Sequence, residues 1–306
     1  MGWTIDDIPD LRGRIALVTG ANSGLGLETT RALLRSGATV LMACRSRRKG
    51  EAARAELLEL GSSGVDLLDL DLADLDNVDA CCREVQSRYE RLDLLINNAG
   101  LMAPPRLLSQ QGHEMQFAVN HLGHFALTQA LLPLMEGREQ ARVVTVTSGA
   151  QYFGKIAWDD LSSEQNYDRW KAYGQSKLAN VMFALELNQR LEQSGSTVRS
   201  LAAHPGLAKT NLQPLSVASS GAWQEALAYR LMDPLFQSAA EGALPQLLAA
   251  TSPSAKGGEH YGPSQFGGLR GAPKQQPVAR AARNQDQRSR LWAISAELIQ
   301  TRSAAV

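Results

Sequence analysis

The stretch Arg14-Ile15-Ala16-Leu17-Val18-Thr19-Gly20-Ala21-Asn22-Ser23-Gly24-Leu25-Gly26 decides how the rest of the chain is read. Ile15 to Val18 is a continuous apolar run bounded by Arg14 and by Thr19-Gly20, the pattern of a strand buried on both faces of a parallel sheet. A helical stretch from Leu27 to Ser36 follows the three glycines, with Leu27, Ala32, Leu33 and Leu34 as its apolar positions. Strand, glycine-rich turn and helix together form a cradle for a dinucleotide pyrophosphate. Gly20 permits the tight turn, Gly24 lets phosphates approach the backbone, and Gly26 lets the helix pack closely on the strand. The helix N-terminus adds free N–H groups and the positive end of its dipole. Glycine clusters also serve ligand-free turns, and the spacing here is not the dinucleotide fingerprint Gly-x-Gly-x-x-Gly. The weight therefore falls on what lies further along.

The form TGxxxGxG, running from Thr19 through Asn22, Ser23 and Leu25 to Gly26, resembles the phosphate-binding turn of the short-chain dehydrogenase/reductase superfamily. Composition is compatible with that resemblance. With 306 residues, 44% hydrophobic and 20% charged, the chain reads as an ordinary globular protein able to bury a sizeable core. A formal net charge of zero gives no broad attraction to nucleic acid or to an anionic membrane. Cys44, Cys81 and Cys82 make no disulfide framework, and no Cys-x-x-Cys or His/Cys pairing points to a metal. Acids in MGWTIDDIPDLRG stand where a signal peptide carries positive charge. Asp6 breaks the myristoylation pattern, and no apolar run reaches about 18 residues. The expected setting is reduced and cytoplasmic, without an integral membrane segment.

Thr39 to Cys44 reads as the second strand, reached through Ser36-Gly37. An NAD site places an acid about 20 residues past the glycine turn, where it binds the ribose hydroxyls. Arg45 stands there instead, followed by Ser46-Arg47-Arg48-Lys49. A carboxylate repels a 2′-phosphate and a guanidinium pairs with it, so the expected cofactor is NADP(H), with Arg45 as chief contact and Arg48 or Lys49 helping. Arg47 to Lys49 also read as a solvated first turn of the next helix. That helix is placed at Glu51 to Leu60, the third strand at Val65 to Leu70, a helix at Leu75 to Tyr89 and the fourth strand at Leu92 to Ile96. The resemblance assigns Asp71-Leu72 to the adenine, with Asp69 and Asp74 as rivals. It also matches Asn97-Asn98-Ala99-Gly100 to the superfamily's NNAG turn, where Asn98, Ala99 and Gly100 border the cofactor.

Gln116 to Leu132 is helical by periodicity and carries Asn120, a residue type that in helices often just bonds the local backbone. By resemblance Asn120 kinks the helix and holds a water of a proton relay. His121 and His124 are read as packing or capping residues. The phrase Val119-Asn120-His121-Leu122-Gly123-His124-Phe125 is similar to the retinol-dehydrogenase branch. Arg142 to Thr147 is a fifth strand of β-branched residues ending at Ser148, and Tyr173-Gly174-Gln175-Ser176-Lys177 lies further on in a helix spanning Trp170 to Leu191. Tyr173 and Lys177 at i and i+4 share a face. Tyrosine titrates near about 10, and an ammonium one turn away stabilises the phenolate. Tyr173 can then exchange a proton with a carbonyl or alcohol oxygen, with Ser148 bonding the same oxygen. Lys177 also binds the nicotinamide ribose, as the resemblance implies. The segment between Ser148 and Tyr173 is longer than usual in the superfamily and resembles an insertion of the retinol-dehydrogenase-like branch.

Val198 to Ala203 is the sixth strand, leading to Pro205-Gly206 and Thr210, which by resemblance border the nicotinamide, carboxamide or phosphates. Residues 207–236 read as an apolar lid over the substrate, or else as an amphipathic helix on the core. Ala239 to Ala250 is a helix, Glu259 to Gly262 a short seventh strand, Gly267 to Pro277 a surface loop, and Asn284 to Arg302 a C-terminal helix. The implied architecture is α/β: a single-domain Rossmann fold, residues 1–306, with a doubly wound parallel sheet of about seven strands. The implied activity is NADP(H)-dependent carbonyl–alcohol chemistry on an apolar retinal-, steroid- or lipid-aldehyde-like molecule. A light-dependent protochlorophyllide-reductase-like enzyme and a non-catalytic NADP(H) sensor are the alternatives. In the protochlorophyllide family the turn after strand four departs from NNAG and a cysteine works near the substrate. No nucleic-acid partner is expected, and a homodimer through the helices carrying Asn120 and Tyr173 is left open.

Overall fold

The computed structural model describes residues 2–59, 64–209 and 236–300. One eight-stranded sheet runs through the molecule in the order β3-β2-β1-β4-β5-β6-β7-β8. Its strands are β1 (Ile15–Thr19), β2 (Thr39–Cys44), β3 (Val65–Asp69), β4 (Leu94–Asn97), β5 (Arg142–Val146), β6 (Arg199–Ala203), β7 (His260–Gln265) and β8 (Arg270–Gln275). The first seven pair in parallel and β8 pairs antiparallel with β7. The order reverses between β1 and β4, so a crevice opens at the carboxyl ends of those strands.

The apolar run at Ile15–Val18 has its predicted place at the centre of the sheet. Ala16 and Val18 face one layer with Val40, Met42, Leu94, Ile96 and Val144. Leu17 faces the other with Leu41, Ala43, Leu95 and Val143. Alternate side chains are buried on both faces, which is why such strands read as unbroken apolar runs. The first layer is covered by α1 (Gly24–Arg35), α2 (Arg47–Glu59) and α7 (Ala239–Thr251), through Leu33, Leu57 and Leu247. On the second lie α3 (Leu75–Arg88), α5 (Gly123–Leu131) and α6 (Arg169–Gln193), through Val78, Phe125 and Phe183. The short turn α4 (Met115–Phe117) leads through a π-helical turn at Ala118–Leu122 into α5. The C-terminal helix α8 (Gln285–Leu298) lies outside this layer, with the Trp292 ring stacked on Phe183 at 5.9 Å and edge-on to Phe125 at 4.9 Å.

The helices start earlier than periodicity indicates: α1 at Gly24 and α2 at Arg47 rather than Leu27 and Glu51. Glycines and a basic run carry no apolar stripe, and the first turn of a helix is polar for its own reasons. The expected surface loop at Gly267–Pro277 is corrected, because it contains β8. Phe266, Gly267 and Gly268, all at positive φ, turn the chain back onto β7. Arg-Gly-Ala-Pro-Lys-Gln has no alternating pattern, and its proline is tolerated only because the strand is at the sheet's edge. The expected lid lies outside the described residues over 210–235. Its two ends meet: Lys209 N–H donates to the Gln237 carbonyl and Gln237 N–H to that of Leu207, each at 2.8 Å. Among the described residues no helix is long and apolar enough to cross a membrane.

Candidate active site

The glycine turn is built for close approach. Gly20 and Gly24 sit at φ +67° and +53°, where side chains are costly. A Cβ on Gly26 would lie 2.3 Å from the Gly20 carbonyl oxygen and 2.7 Å from Asn98 Nδ2. That leaves no room for any other residue if α1 is to start against the turn. Thr19 closes the floor. Its hydroxyl accepts the N–H groups of Asn98 and Ala99, each at 2.9 Å, and its carbonyl accepts Asn98 Nδ2 at 2.8 Å.

A cleft of about 260 Å³ opens above this turn. Gly20, Asn22, Ser23, Gly24, Leu25, Gly26, Arg45, Asp71, Leu72, Asn98, Ala99 and Gly100 all line it, so the structure brings the sequence-predicted residues of the first four strand ends to one place. Of the competing acids only Asp71 lines the cleft. Asp74 caps α3 by accepting the Asp76 N–H, and Asp69 pairs with Arg47 at 3.3 Å. Arg47 also holds Glu51 at 2.9 Å and so belongs to the solvated face of α2. Arg45, Ser46 and Lys49 line the cleft and Arg48 does not. Neither Arg45 nor Lys49 has an ion-pair partner among the described residues, so the two cations at this end are uncompensated.

Asn120, Ser148, Tyr173, Lys177, Pro205 and Gly206 do not line this cleft; α6 stands beside its NNAG edge. Lys177 is buried, with Nζ 3.3 Å from the Val146 carbonyl oxygen and 5.8 Å from the Tyr173 ring centre. Burial brings its ammonium down to about 8, because a desolvated charge is disfavoured. A Cβ on Gly100 would lie 3.3 Å from Nζ and 3.1 Å from Asn120 Oδ1. The NNAG turn, Lys177 and Asn120 therefore converge. Asn120 sits in the π-helical turn. Its side chain clamps the chain after Gly100, accepting the Leu101 N–H at 2.7 Å and donating to the Leu101 carbonyl at 3.0 Å and Ser176 Oγ at 2.9 Å.

Ser148 caps the turn Gly149–Tyr152 and is half-buried. Two contacts tie the segments on either side of it to α6. Thr147 Oγ1 donates to the Lys177 carbonyl at 2.7 Å. Gly154 meets Gly174 so closely that a Cβ on Gly154 would lie 2.2 Å from the Gly174 carbonyl oxygen. Pro205 reaches the glycine turn through α7, since a Cβ on Gly242 would lie 2.9 Å from Leu25 Cδ2 and 3.6 Å from Pro205 Cβ. Gly206 follows at φ +65°. Thr210 lies outside the described residues.

Several contributors escaped the sequence reading. Asn180 shares the Val146 carbonyl with Lys177, donating at 3.0 Å; its place three residues after Lys177 on one helix face was the available signal. His124 does more than pack. Its Nδ1 faces the Asn120 carbonyl at 3.1 Å and therefore carries the proton, leaving Nε2 to accept from Thr19 Oγ1 at 2.9 Å. Burial holds this ring neutral, near about 4, and it ties the π-helical turn to the floor of the cleft.

The sequence profile described as short chain dehydrogenase matches residues 14–219. Human retinol dehydrogenase 14 is 39% identical over 94% of this chain and 87% of its own length. A solved structure of an uncharacterised Mycobacterium paratuberculosis protein is 40% identical over the whole of both chains, with a TM-score of 0.80. A Beutenbergia cavernae structure, described as an NAD(P)-dependent gluconate 5-dehydrogenase with bound NADP, is 25% identical over 79% of this chain and 91% of that one, with a TM-score of 0.62. Glycine turn, NNAG turn and the Tyr173/Lys177 helix thus stand in a chain that belongs to the short-chain dehydrogenase family, in its retinol-dehydrogenase-like branch.

Proposed function

We propose that the protein is an NADP(H)-dependent oxidoreductase interconverting a carbonyl and an alcohol on an apolar small molecule. Carbonyl–alcohol oxidoreduction follows from the family; the cofactor preference, substrate class and residue roles are the proposal. The observation that carries it is the buried Lys177 ammonium, held beside Tyr173 and against Gly100 at the edge of a cleft that also carries Arg45 and Lys49, neither with an ion-pair partner among the described residues. Tyr173 exchanges the proton with the substrate oxygen, and the Lys177 charge favours its phenolate form. Ser148 donates to the same oxygen and fixes its orientation. When bound, a nicotinamide cofactor would supply or accept the hydride. Arg45, helped by Lys49, would hold the 2′-phosphate, and Gly20 to Gly26 would receive the pyrophosphate on backbone N–H groups.

An apolar substrate is favoured by exposed Leu107, Leu108 and Phe153, which stand on the segments following β4 and β5. The relatives named retinol dehydrogenases point the same way. A protochlorophyllide-reductase-like chemistry loses support because Cys44, Cys81 and Cys82 are all buried, with thiols pushed up to about 12. The test is titration with NADPH and NADH, followed by turnover on a panel of apolar aldehydes and ketones with wild type, Tyr173→Phe and Arg45→Asp. Expected are tighter NADPH binding, loss of that preference in Arg45→Asp, and a fall in turnover of about 100-fold or more in Tyr173→Phe. An NADH preference in the wild type would remove the role given to Arg45. Tight NADPH binding without turnover on any carbonyl would favour a sensor.

A further inference from the structure

Two histidines stand between the Ser148 turn and the Pro205–Gly206 turn. The rings of His204, at the end of β6, and His260, at the start of β7, stack with centres 5.2 Å apart and planes 22° from parallel. Only 3% and 1% of these residues is exposed. All four ring nitrogens are engaged, and the partners fix each proton. Gly206 N–H donates to His204 Nδ1 at 3.3 Å, so His204 carries its proton on Nε2 and gives it to Gln276 Oε1 at 2.9 Å. The Gln276 amide is oriented by its own donation to the Pro263 carbonyl. His260 Nδ1 faces the Pro277 carbonyl at 3.3 Å and is protonated, leaving Nε2 to accept from Gln151 Nε2 at 3.1 Å. Gln151 is oriented in turn by the Ala279 N–H on its Oε1 at 3.2 Å.

Gln151 belongs to the turn capped by Ser148, and its N–H donates to the Ser148 carbonyl at 3.0 Å. A continuous path therefore runs from Ser148 through Gln151, His260 and His204 to Gly206. The fit is tight, because a Cβ on Gly262 would lie 2.0 Å from His204 Nε2. Buried polar groups satisfied at every atom specify one arrangement, since any displacement strands a donor or acceptor.

We propose that His204 and His260 are positioning residues: their stacked, neutral rings clamp the Ser148 turn to the Pro205–Gly206 turn and so set the distance between the carbonyl-orienting hydroxyl and that second turn. The catalytic part rests on the role given above to Ser148. The clamp itself does not. His260→Phe keeps a stacking ring and removes both hydrogen bonds, Gln151→Met cuts the same path one residue earlier, and His260→Gln restores an acceptor for Gln151.

The experiment measures kcat, KM for the carbonyl, NADPH affinity and amide hydrogen exchange in these variants and in the double variant. Expected are a 10- to 100-fold fall in kcat for His260→Phe and Gln151→Met, with KM and NADPH affinity within about 3-fold. The double variant should be no worse than either single one, and His260→Gln should recover most of kcat. Exchange should rise in both 148–154 and 204–208 and stay unchanged in β2. Unchanged kcat and exchange in Gln151→Met would overturn the proposal, as would losses that multiply in the double variant or a rise in exchange confined to 276–279. A wild type inactive on every carbonyl, with exchange rising as stated, leaves the clamp standing and removes the proposed function instead.

Discussion

Lys177 is the residue on which the electrostatics of the site turn. Its ammonium, brought down to about 8 by burial, is charged at pH 7 and loses that charge as pH rises past 8. The free enzyme's kcat/KM reports such groups, so carbonyl reduction is expected to decline above about pH 8. Lys177→Arg should push that falling limb upward, because a guanidinium stays charged; a limb unmoved by the substitution would assign it elsewhere. The pair Tyr173/Lys177 was legible in the sequence, since i and i+4 spacing on one helix fixes their relation without reference to anything else. The neutral tautomer of His124 was not. It depends on Thr19, 105 residues away, and only the folded chain brings that hydroxyl to the ring.

At the level of elements, the glycine turn and α1 act as one piece. Gly26→Ala would drive a Cβ into the Gly20 carbonyl, and backbone cannot yield as a side-chain tip can. The helix start must then withdraw from the strand end. NADPH affinity should fall at least ten-fold, a larger effect than the loss of thermal stability, and calorimetric titration beside a melting curve checks both. Wild-type affinity in Gly26→Ala would show that the turn does not hold the cofactor. The helix α8 covers the Phe125 and Phe183 faces of α5 and α6 through Trp292. A homodimer built on those two helices would have to use a different face of them. Sequence marked α8 as a helix but was silent on which surface it covers, because that choice is made between elements. Strand β8 was hidden because only Pro273 of its residues is buried, so neither face needs an apolar stripe.

For the whole molecule, the buried histidines set a pH limit. His121, His124 and His260 are held neutral by burial, near about 3, 4 and 3, against about 6.5 for an exposed ring. The unfolded chain therefore takes up protons that the folded one refuses. Their contribution is fully present above about pH 6.5 and is lost as pH falls from there toward 4 and 3. The urea midpoint should drop clearly between pH 7 and pH 5, with each ring costing on the order of 1 kcal/mol per pH unit. A midpoint constant over that range would mean that these rings are accessible to protons in the folded state.

By itself the sequence determined what short-range order can carry: the buried central strand, the glycine turn, NNAG, the Tyr173/Lys177 helix face, and the parallel α/β order of elements. Each is set by spacing within one or two turns of helix or one strand. Only the tertiary structure decided how those pieces are held to one another. It placed Asp71, and neither Asp69 nor Asp74, in the lining of the cleft together with Arg45, Ser46 and Lys49, pressed Gly154 onto Gly174, and joined Gln151 to His260 across 109 residues. The physical reason is that a buried polar group or a close backbone contact is fixed by whatever partner packing delivers, and that partner leaves no mark in the local sequence.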